Sequence, residues 1–170
     1  MTGFVQRAFV ALTVGAVLTV PAVAGTWVRH ADPSFGFEAL FPGEPAKSTD
    51  TANGVTTTIL LGKDADGTLC MIGVSDYRSI PSISAELAAD RDNFVKEVKA
   101  TVTSTRSTTF AHGDKALDAL TYEAESATYK FRSIVMVEGV RVNLIVGAVP
   151  KALGDDGALD ICVKNFRFLP

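Results

Sequence analysis

The stretch Thr128-Tyr-Lys-Phe-Arg-Ser-Ile-Val-Met-Val137 decides the predicted fold, together with Val140-Arg-Val-Asn-Leu-Ile-Val-Gly-Ala-Val149. The first half of the earlier stretch alternates polar and apolar residues, but Ile134 to Val137 is apolar at every position. Strands that are apolar on both faces must be covered on both faces. Because the short Glu138-Gly139 connection favours a hairpin, we expect two antiparallel strands at the centre of a covered sheet.

Further strands are predicted on either side of this hairpin. Phe35-Gly-Phe-Glu-Ala-Leu-Phe-Pro-Gly-Glu-Pro45 alternates and then stops at its prolines, which cannot donate a ladder hydrogen bond. Val55 to Leu61 and Thr68 to Tyr77 flank an Asp-Gly turn that is typical of a hairpin. Thr101 to Phe110 is rich in threonine and serine, and its place between a helix and a turn favours an edge strand. Ala116 to Ala124 is the remaining predicted strand.

Two amphipathic helices complete the predicted fold. Ser84 to Lys99 has Ser84 as its N-cap and an apolar stripe along one side. Ala158 to about Asn165 is the second helix. Since the central strands need covers and two helices are available, the predicted fold class is α+β, a mainly antiparallel sheet with helices packed on both faces.

The first 24 residues have the features of a secretory signal peptide. Ala8 to Val20 is an apolar run, Pro21 ends it, and Ala22-Val23-Ala24 places small residues before a cleavage between Ala24 and Gly25. An uncleaved membrane anchor is the alternative, but the run is shorter than the about 20 residues that a span needs. We therefore expect a periplasmic or secreted protein without a stable membrane anchor after cleavage: a signal peptide (1–24), a leader (25–34) and a single domain (35–170).

Composition excludes several classes of partner. The formal net charge is −3, and it becomes one unit more negative once Arg7 is removed with the signal peptide. A mildly acidic chain without a basic cluster is a poor ligand for nucleic acid or for an anionic membrane surface. No nucleic-acid partner is expected.

The two cysteines are predicted to point inward. Cys70 lies in a strand beside Ile72 and Val74, and Cys162 lies on the apolar stripe of the last helix. An even number of cysteines in an exported protein favours a disulfide. The alternative is a pair of buried thiols that behave as small apolar side chains.

Residues for catalysis or metal binding do not form a recognisable motif. His30 and His112 lack the spaced partners that a zinc site needs, and both are interpreted as solvated histidines. Asp64-Ala-Asp-Gly67 and Asp155-Asp-Gly157 lack the further ligands of a calcium loop, and are interpreted as a hairpin turn and a helix start. No Gly-x-Ser-x-Gly or phosphate-binding glycine motif occurs. Isolated arginines on strands are interpreted as solvated residues rather than as an anion site: Arg78, Arg132 and Arg141. No catalytic, metal or cofactor-binding residue is assigned.

Two motifs carry a resemblance to a known family. Gly36-Phe-Glu-Ala-Leu-Phe-Pro-Gly-Glu-Pro45 near the start and Lys164-Asn-Phe-Arg-Phe-Leu-Pro170 at the end resemble the PsbP-like family of small exported bacterial proteins. The resemblance covers residues 34 to 170 and implies an α-β-α sandwich. It also implies a binding or assembly protein without an established active site, since the matching positions are structural: Phe37, Phe41, Pro42 and Pro45.

Three functions are therefore considered. The first is a non-catalytic periplasmic domain that binds another protein as an envelope accessory factor. The alternative is a carrier or sensor of a small apolar or amphipathic ligand, which predicts a sizeable cavity between sheet and helix. The third is a hydrolase, which requires His112 to meet an acidic residue and a serine in a cleft.

Overall fold

The computed structural model describes residues 26–154 and 156–170. The predicted signal peptide and its cleavage site at Ala24 and Gly25 lie outside these residues. None of the helices formed by the described part of the chain is long and apolar enough to cross a membrane.

Ten strands and two α-helices follow one another along the described chain. The strands are β1 (Trp27–Asp32), β2 (Phe37–Pro42), β3 (Ala46–Ala52), β4 (Val55–Lys63), β5 (Leu69–Asp76), β6 (Thr101–His112), β7 (Lys115–Glu125), β8 (Tyr129–Glu138), β9 (Arg141–Pro150) and β10 (Arg167–Phe168). The helices are α1 (Ile83–Glu97) and α2 (Gly157–Lys164), and a short 3₁₀ turn occupies Lys151–Leu153.

The larger sheet contains seven strands in the order β3-β4-β5-β9-β8-β7-β6, and all neighbouring strands are antiparallel. The hairpin of β8 and β9 lies near its centre, as the sequence predicts. Both faces of this hairpin are buried: Val135 and Val137 belong to the core on one face, and Ile134 and Met136 to the core on the other. Alternating side chains point to opposite faces, so a fully apolar segment must have two covers.

The predicted α-β-α sandwich is wrong, because strands make up 56% of the described residues and helices only 18%. The strand that begins at Phe37 does not join the larger sheet. It lies in the middle of a second, three-stranded sheet with the order β1-β2-β10. Phe37, Ala39 and Phe41 are completely or almost completely buried in the core that this small sheet shares with the larger one. The small sheet, with α2 beside it, therefore covers the face that the prediction gave to a helix alone.

The three strands of the small sheet are also linked by ion pairs between their side chains. Glu38 of β2 forms ion pairs with Arg29 of β1 and with Arg167 of β10. The hydrogen bond from Arg167 holds the pKa of Glu38 below its usual value, and the charge of Arg29 acts in the same direction. The segment predicted as a leader thus contains strand β1, whose mixture of polar and apolar residues gave no clear strand pattern.

A disulfide joins Cys70 of β5 to Cys162 of α2, which confirms the predicted pairing and excludes the alternative of two free thiols. Both cysteines are fully buried in the core beneath the small sheet. The bond links residues 92 positions apart in the chain. Constraining the unfolded chain over such a distance contributes at most about 4–5 kcal/mol.

Helix α1 covers part of the opposite face, over β7 and β8. Leu87 is its buried residue, and the half-buried Phe94, Val95 and Val98 pack in the same core. Ser82 caps the helix by accepting a hydrogen bond from the backbone N–H of Ala85, so the predicted N-cap, Ser84, is two residues too late. Strand β3 also differs from the prediction, which placed these residues in a polar connection. The strand is mostly polar because none of its residues is buried.

Glycine at position 147 allows α2 to lie directly on the larger sheet. A Cβ added to Gly147 would lie only 2.9 Å from the carbonyl oxygen of Leu159 in α2 and 3.1 Å from its Cα. Backbone atoms cannot move aside as a flexible side chain can. The close approach of α2, and with it the position of Cys162 opposite Cys70, therefore depends on the missing side chain.

We predict that Gly147→Ala lowers the free energy of unfolding by about 1–3 kcal/mol, because the added methyl group overpacks the helix-sheet contact. Gly73→Ala in the neighbouring strand β5 is the matched control, since its Cβ would meet Leu144 at an ordinary 3.8 Å. Urea denaturation of both oxidised proteins measures the difference. Equal stabilities of the two variants would contradict this account of the contact.

Candidate functional site

Strand β6 is a free edge of the larger sheet. It spans Thr101–His112 and pairs with β7 on one side only. No other described strand pairs with its outer side. The register is regular from Ser104 to His112 after a β-bulge between Val102 and Ser104. The prediction of an edge strand here is confirmed, and its outward N–H and C=O groups are available to a further strand.

A groove lies beside β6 on the face that carries α2, and we call it the α2 groove. It has a volume of about 480 Å³. Its lining comes from four elements: Ser104, Thr105 and Arg106 of β6, Thr121, Tyr122 and Glu123 of β7, Arg132 and Ser133 of β8, and Asp160, Val163 and Lys164 of α2. The groove lies between helix and sheet, and its volume falls within the 300 to 1,000 Å³ that is typical of ligand pockets.

Most charges in the α2 groove neutralise one another. Arg132 donates two hydrogen bonds to Glu123, at 2.9 and 2.7 Å, and a third to Asp160. Lys164 donates to the other oxygen of Asp160 at 2.9 Å. The hydrogen bond from Lys164, followed by that from Arg132, holds the pKa of Asp160 below its usual value. These four side chains carry two positive and two negative charges and form one closed network.

Arg106 is the remaining charged residue of the α2 groove. It is exposed, and its guanidinium has no hydrogen bond or ion pair with any residue that the structure describes. Arg106 pairs in register with Thr121, and alternation places it on the same face as Phe110, which packs against Phe166 and Phe168. The groove therefore has one positive charge without a partner at the free edge.

A second groove lies beside β6 on the opposite face of the sheet, and we call it the α1 groove. It has a volume of about 380 Å³. Helix α1 and strand β7 contribute apolar and polar side chains to it, including Ile83, Leu87 and Leu120, and β6 contributes Ser107 and Thr108. Ile83 is 39% exposed there although it is a large apolar residue. Arg91 of α1 donates a hydrogen bond of 3.4 Å to Thr105 and so connects the helix to the edge strand.

Asp90 is a buried carboxylate on the inner side of α1. The residue as a whole is half-buried, but its Oδ2 is closed to solvent and has no hydrogen-bond partner among the described residues. Burial raises the pKa of Asp90 to about 6, and the negative charge of Glu86, one helical turn earlier, acts in the same direction. An uncompensated charge at this position opposes the packing of α1 on the sheet.

The two histidines that the sequence offered for catalysis or metal binding line neither groove. His112 is half-buried rather than solvated, because it stacks on Phe168 with ring centres 4.1 Å apart. Its Nδ1 lies 2.9 Å from Glu138, so the acidic neighbour that a hydrolase requires is present. The cavity beside His112, of about 500 Å³, has no serine among the residues that line it. His30 lies in β1 and contacts the ring of Phe41 edge-on.

Two of the arginines considered for an anion site, and the aspartate considered for a calcium loop, bind other residues of the protein. Arg141 pairs with Asp76 and lies over the ring of Phe35, and Arg132 belongs to the closed network in the α2 groove. Asp64 accepts hydrogen bonds from the backbone of Asp66 and Thr68, as a hairpin turn requires. No group of three or more metal-ligating side chains occurs in residues 26–154 and 156–170.

Sequence reasoning missed Arg106 and the two grooves. The side chains of Arg106 and Arg78 both lack an ion pair with a described residue, but Arg106 lines the α2 groove and Arg78 lines neither groove. The position of Arg106 in a groove depends on residues distant in the chain. The threonine and serine content of β6 did predict that this strand lies at an edge of the sheet. No family model and no curated protein matches the chain. Membership of the PsbP-like family stays a prediction.

We predict that Asp90 makes the protein less stable as the pH rises. Its native pKa of about 6 lies above the value of about 3.9 in an unfolded chain, so the native state binds the proton more tightly. This contribution is complete below about pH 4 and is lost as the pH rises through 6. Asp90→Asn should raise the free energy of unfolding at pH 8 by about 1–2 kcal/mol, and by much less at pH 4.

Urea denaturation between pH 4 and pH 8 tests this prediction. Asp92→Asn removes the same charge from the exposed side of α1, where Asp92 pairs with Arg91, and serves as the control. An Asp90→Asn effect that is the same at both pH values would contradict the raised pKa.

Proposed function

We propose that this domain binds an extended segment of another protein, which adds as a strand to the free edge of β6. The observation that carries the proposal is the position of this edge between two grooves, one on each face of the sheet. In strand addition, main-chain hydrogen bonds supply affinity and alternate side chains enter pockets that supply specificity. A strand beside β6 would direct successive side chains toward the α2 groove and the α1 groove in turn.

The opposite edge of the sheet is less suited to this role. Strand β3 spans Ala46–Ala52, and its residues line neither of the two grooves. It also carries Lys47 and Asp50, and charged residues are a common means of protecting edges from unwanted pairing. From Ser104 to Phe110, β6 has a single charged side chain, Arg106, and no proline. Strand β3 therefore provides an internal control for experiments on β6.

Export of the domain belongs to the same proposal. The disulfide is compatible with an oxidising compartment, such as the periplasm or the extracellular space. The apolar run in the first 24 residues supports secretion to such a compartment. A role as an envelope accessory factor would follow from a partner in that compartment.

A carrier of a small amphipathic ligand is the second candidate, and the volume of the α2 groove favours it. The two functions differ in what they need from β6. A small ligand held in one groove needs no main-chain pairing, whereas an added strand does. Native mass spectrometry of gently purified protein would reveal a retained small molecule.

We predict that proline in β6 weakens the binding of peptides selected from a display library of random twelve-residue sequences. Successive N–H groups of a strand point to opposite sides, so either Ser107 or Thr108 directs its N–H away from β7. Proline at that residue removes an outward donor and keeps the pairing with β7. The substitutions Ser107→Pro and Thr108→Pro therefore include one that tests the free edge alone. The variant that keeps the native circular dichroism spectrum should bind selected peptides at least about tenfold more weakly, a loss of about 1.4 kcal/mol.

Thr49→Pro and Asp50→Pro make the same change at the β3 edge and should leave peptide affinity unchanged when they fold. Fluorescence anisotropy with labelled peptides measures all four variants. Peptides that bind wild-type protein and a folded β6 variant with equal affinity would contradict strand addition at β6, as would a library that yields no binder.

A further inference from the structure

We infer that the segment bound along β6 carries an aspartate or glutamate opposite Arg106, and this inference rests on the proposed function. The four other charged side chains of the α2 groove are Glu123, Arg132, Asp160 and Lys164, and their charges sum to zero in one hydrogen-bonded network. The guanidinium of Arg106 has no hydrogen bond or ion pair with a described residue. The groove thus has a single positive charge for which no described side chain supplies a counter-charge.

The position of Arg106 determines where the carboxylate must lie. Side chains that are opposite each other on neighbouring strands share a face, with Cβ atoms about 4.5–5.5 Å apart, and opposite charges at such a pair stabilise the sheet. Arg106 points to the face of the α2 groove. The residue of an added strand that lies beside Arg106 therefore points into the same groove, and a carboxylate there can accept hydrogen bonds from the guanidinium.

The next residues of the bound segment meet a different surface. Side chains directed to the opposite face enter the α1 groove, where Ile83 is partly exposed and Leu87 and Leu120 provide apolar surface. Apolar side chains are favoured at these positions because they remove Ile83 from water. The expected recognition pattern is an acidic residue flanked by apolar residues, in the alternation of a β-strand.

The same display library tests this pattern when it is selected separately on wild-type protein and on Arg106→Glu. Wild-type protein should enrich aspartate or glutamate at one peptide position, and Arg106→Glu should enrich lysine or arginine at that position. Arg78→Glu is the control, because it makes the same change in charge at an exposed residue that lines neither groove. It should select the same acidic peptides as the wild type.

Affinities provide the second measurement. An acidic peptide selected on wild-type protein should bind Arg106→Glu about fivefold to tenfold more weakly, and the difference should shrink in 0.5 M salt because the ion pair is screened. Selected peptides without an acidic preference, or with the same preference on Arg106→Glu, would overturn the inference. If those peptides still lose affinity in the folded β6 proline variant, strand addition stands and the role of Arg106 alone is refuted.

Discussion

The two-sided burial of the central β8-β9 hairpin is the constraint on which the rest of the structure depends. Its apolar residues need a layer on each face, and two different layers supply them. On one face the small sheet packs through Phe37 and Phe41, and α2 is held beside it by the disulfide and by the close contact at Gly147. On the other face α1 packs through Leu87. Grooves remain beside β6, where these layers meet the free edge of the sheet.

Local signals predicted much of this arrangement. Apolar residues on both faces located the central hairpin, turn residues located β4 and β5, and the inward positions of Cys70 and Cys162 indicated the disulfide. The fold class was wrong for a physical reason. Alternation shows that one face of a strand is buried, but it does not show which layer buries it. The strand that contains Phe37 was therefore assigned to the main sheet instead of to a second sheet that covers it.

The candidate site depends on properties that no single segment contains. The threonine and serine content of β6 predicted an edge, and the structure confirms it. The importance of Arg106 arises from a network among Glu123, Arg132, Asp160 and Lys164, which come from three other elements. In the same way, His112 Nδ1 lies 2.9 Å from a carboxylate oxygen of Glu138, although β7 and most of β8 lie between the two residues in the chain. Such relationships appear only once the strands are paired.

If β6 acts as a template for a strand from a partner, a structure of the protein with a library-selected peptide will show that strand in place. Strand addition predicts a peptide backbone that is hydrogen-bonded to the outer side of β6, with alternate side chains in the α2 and α1 grooves. A peptide bound at another surface, or bound in one groove without main-chain pairing to β6, would contradict it.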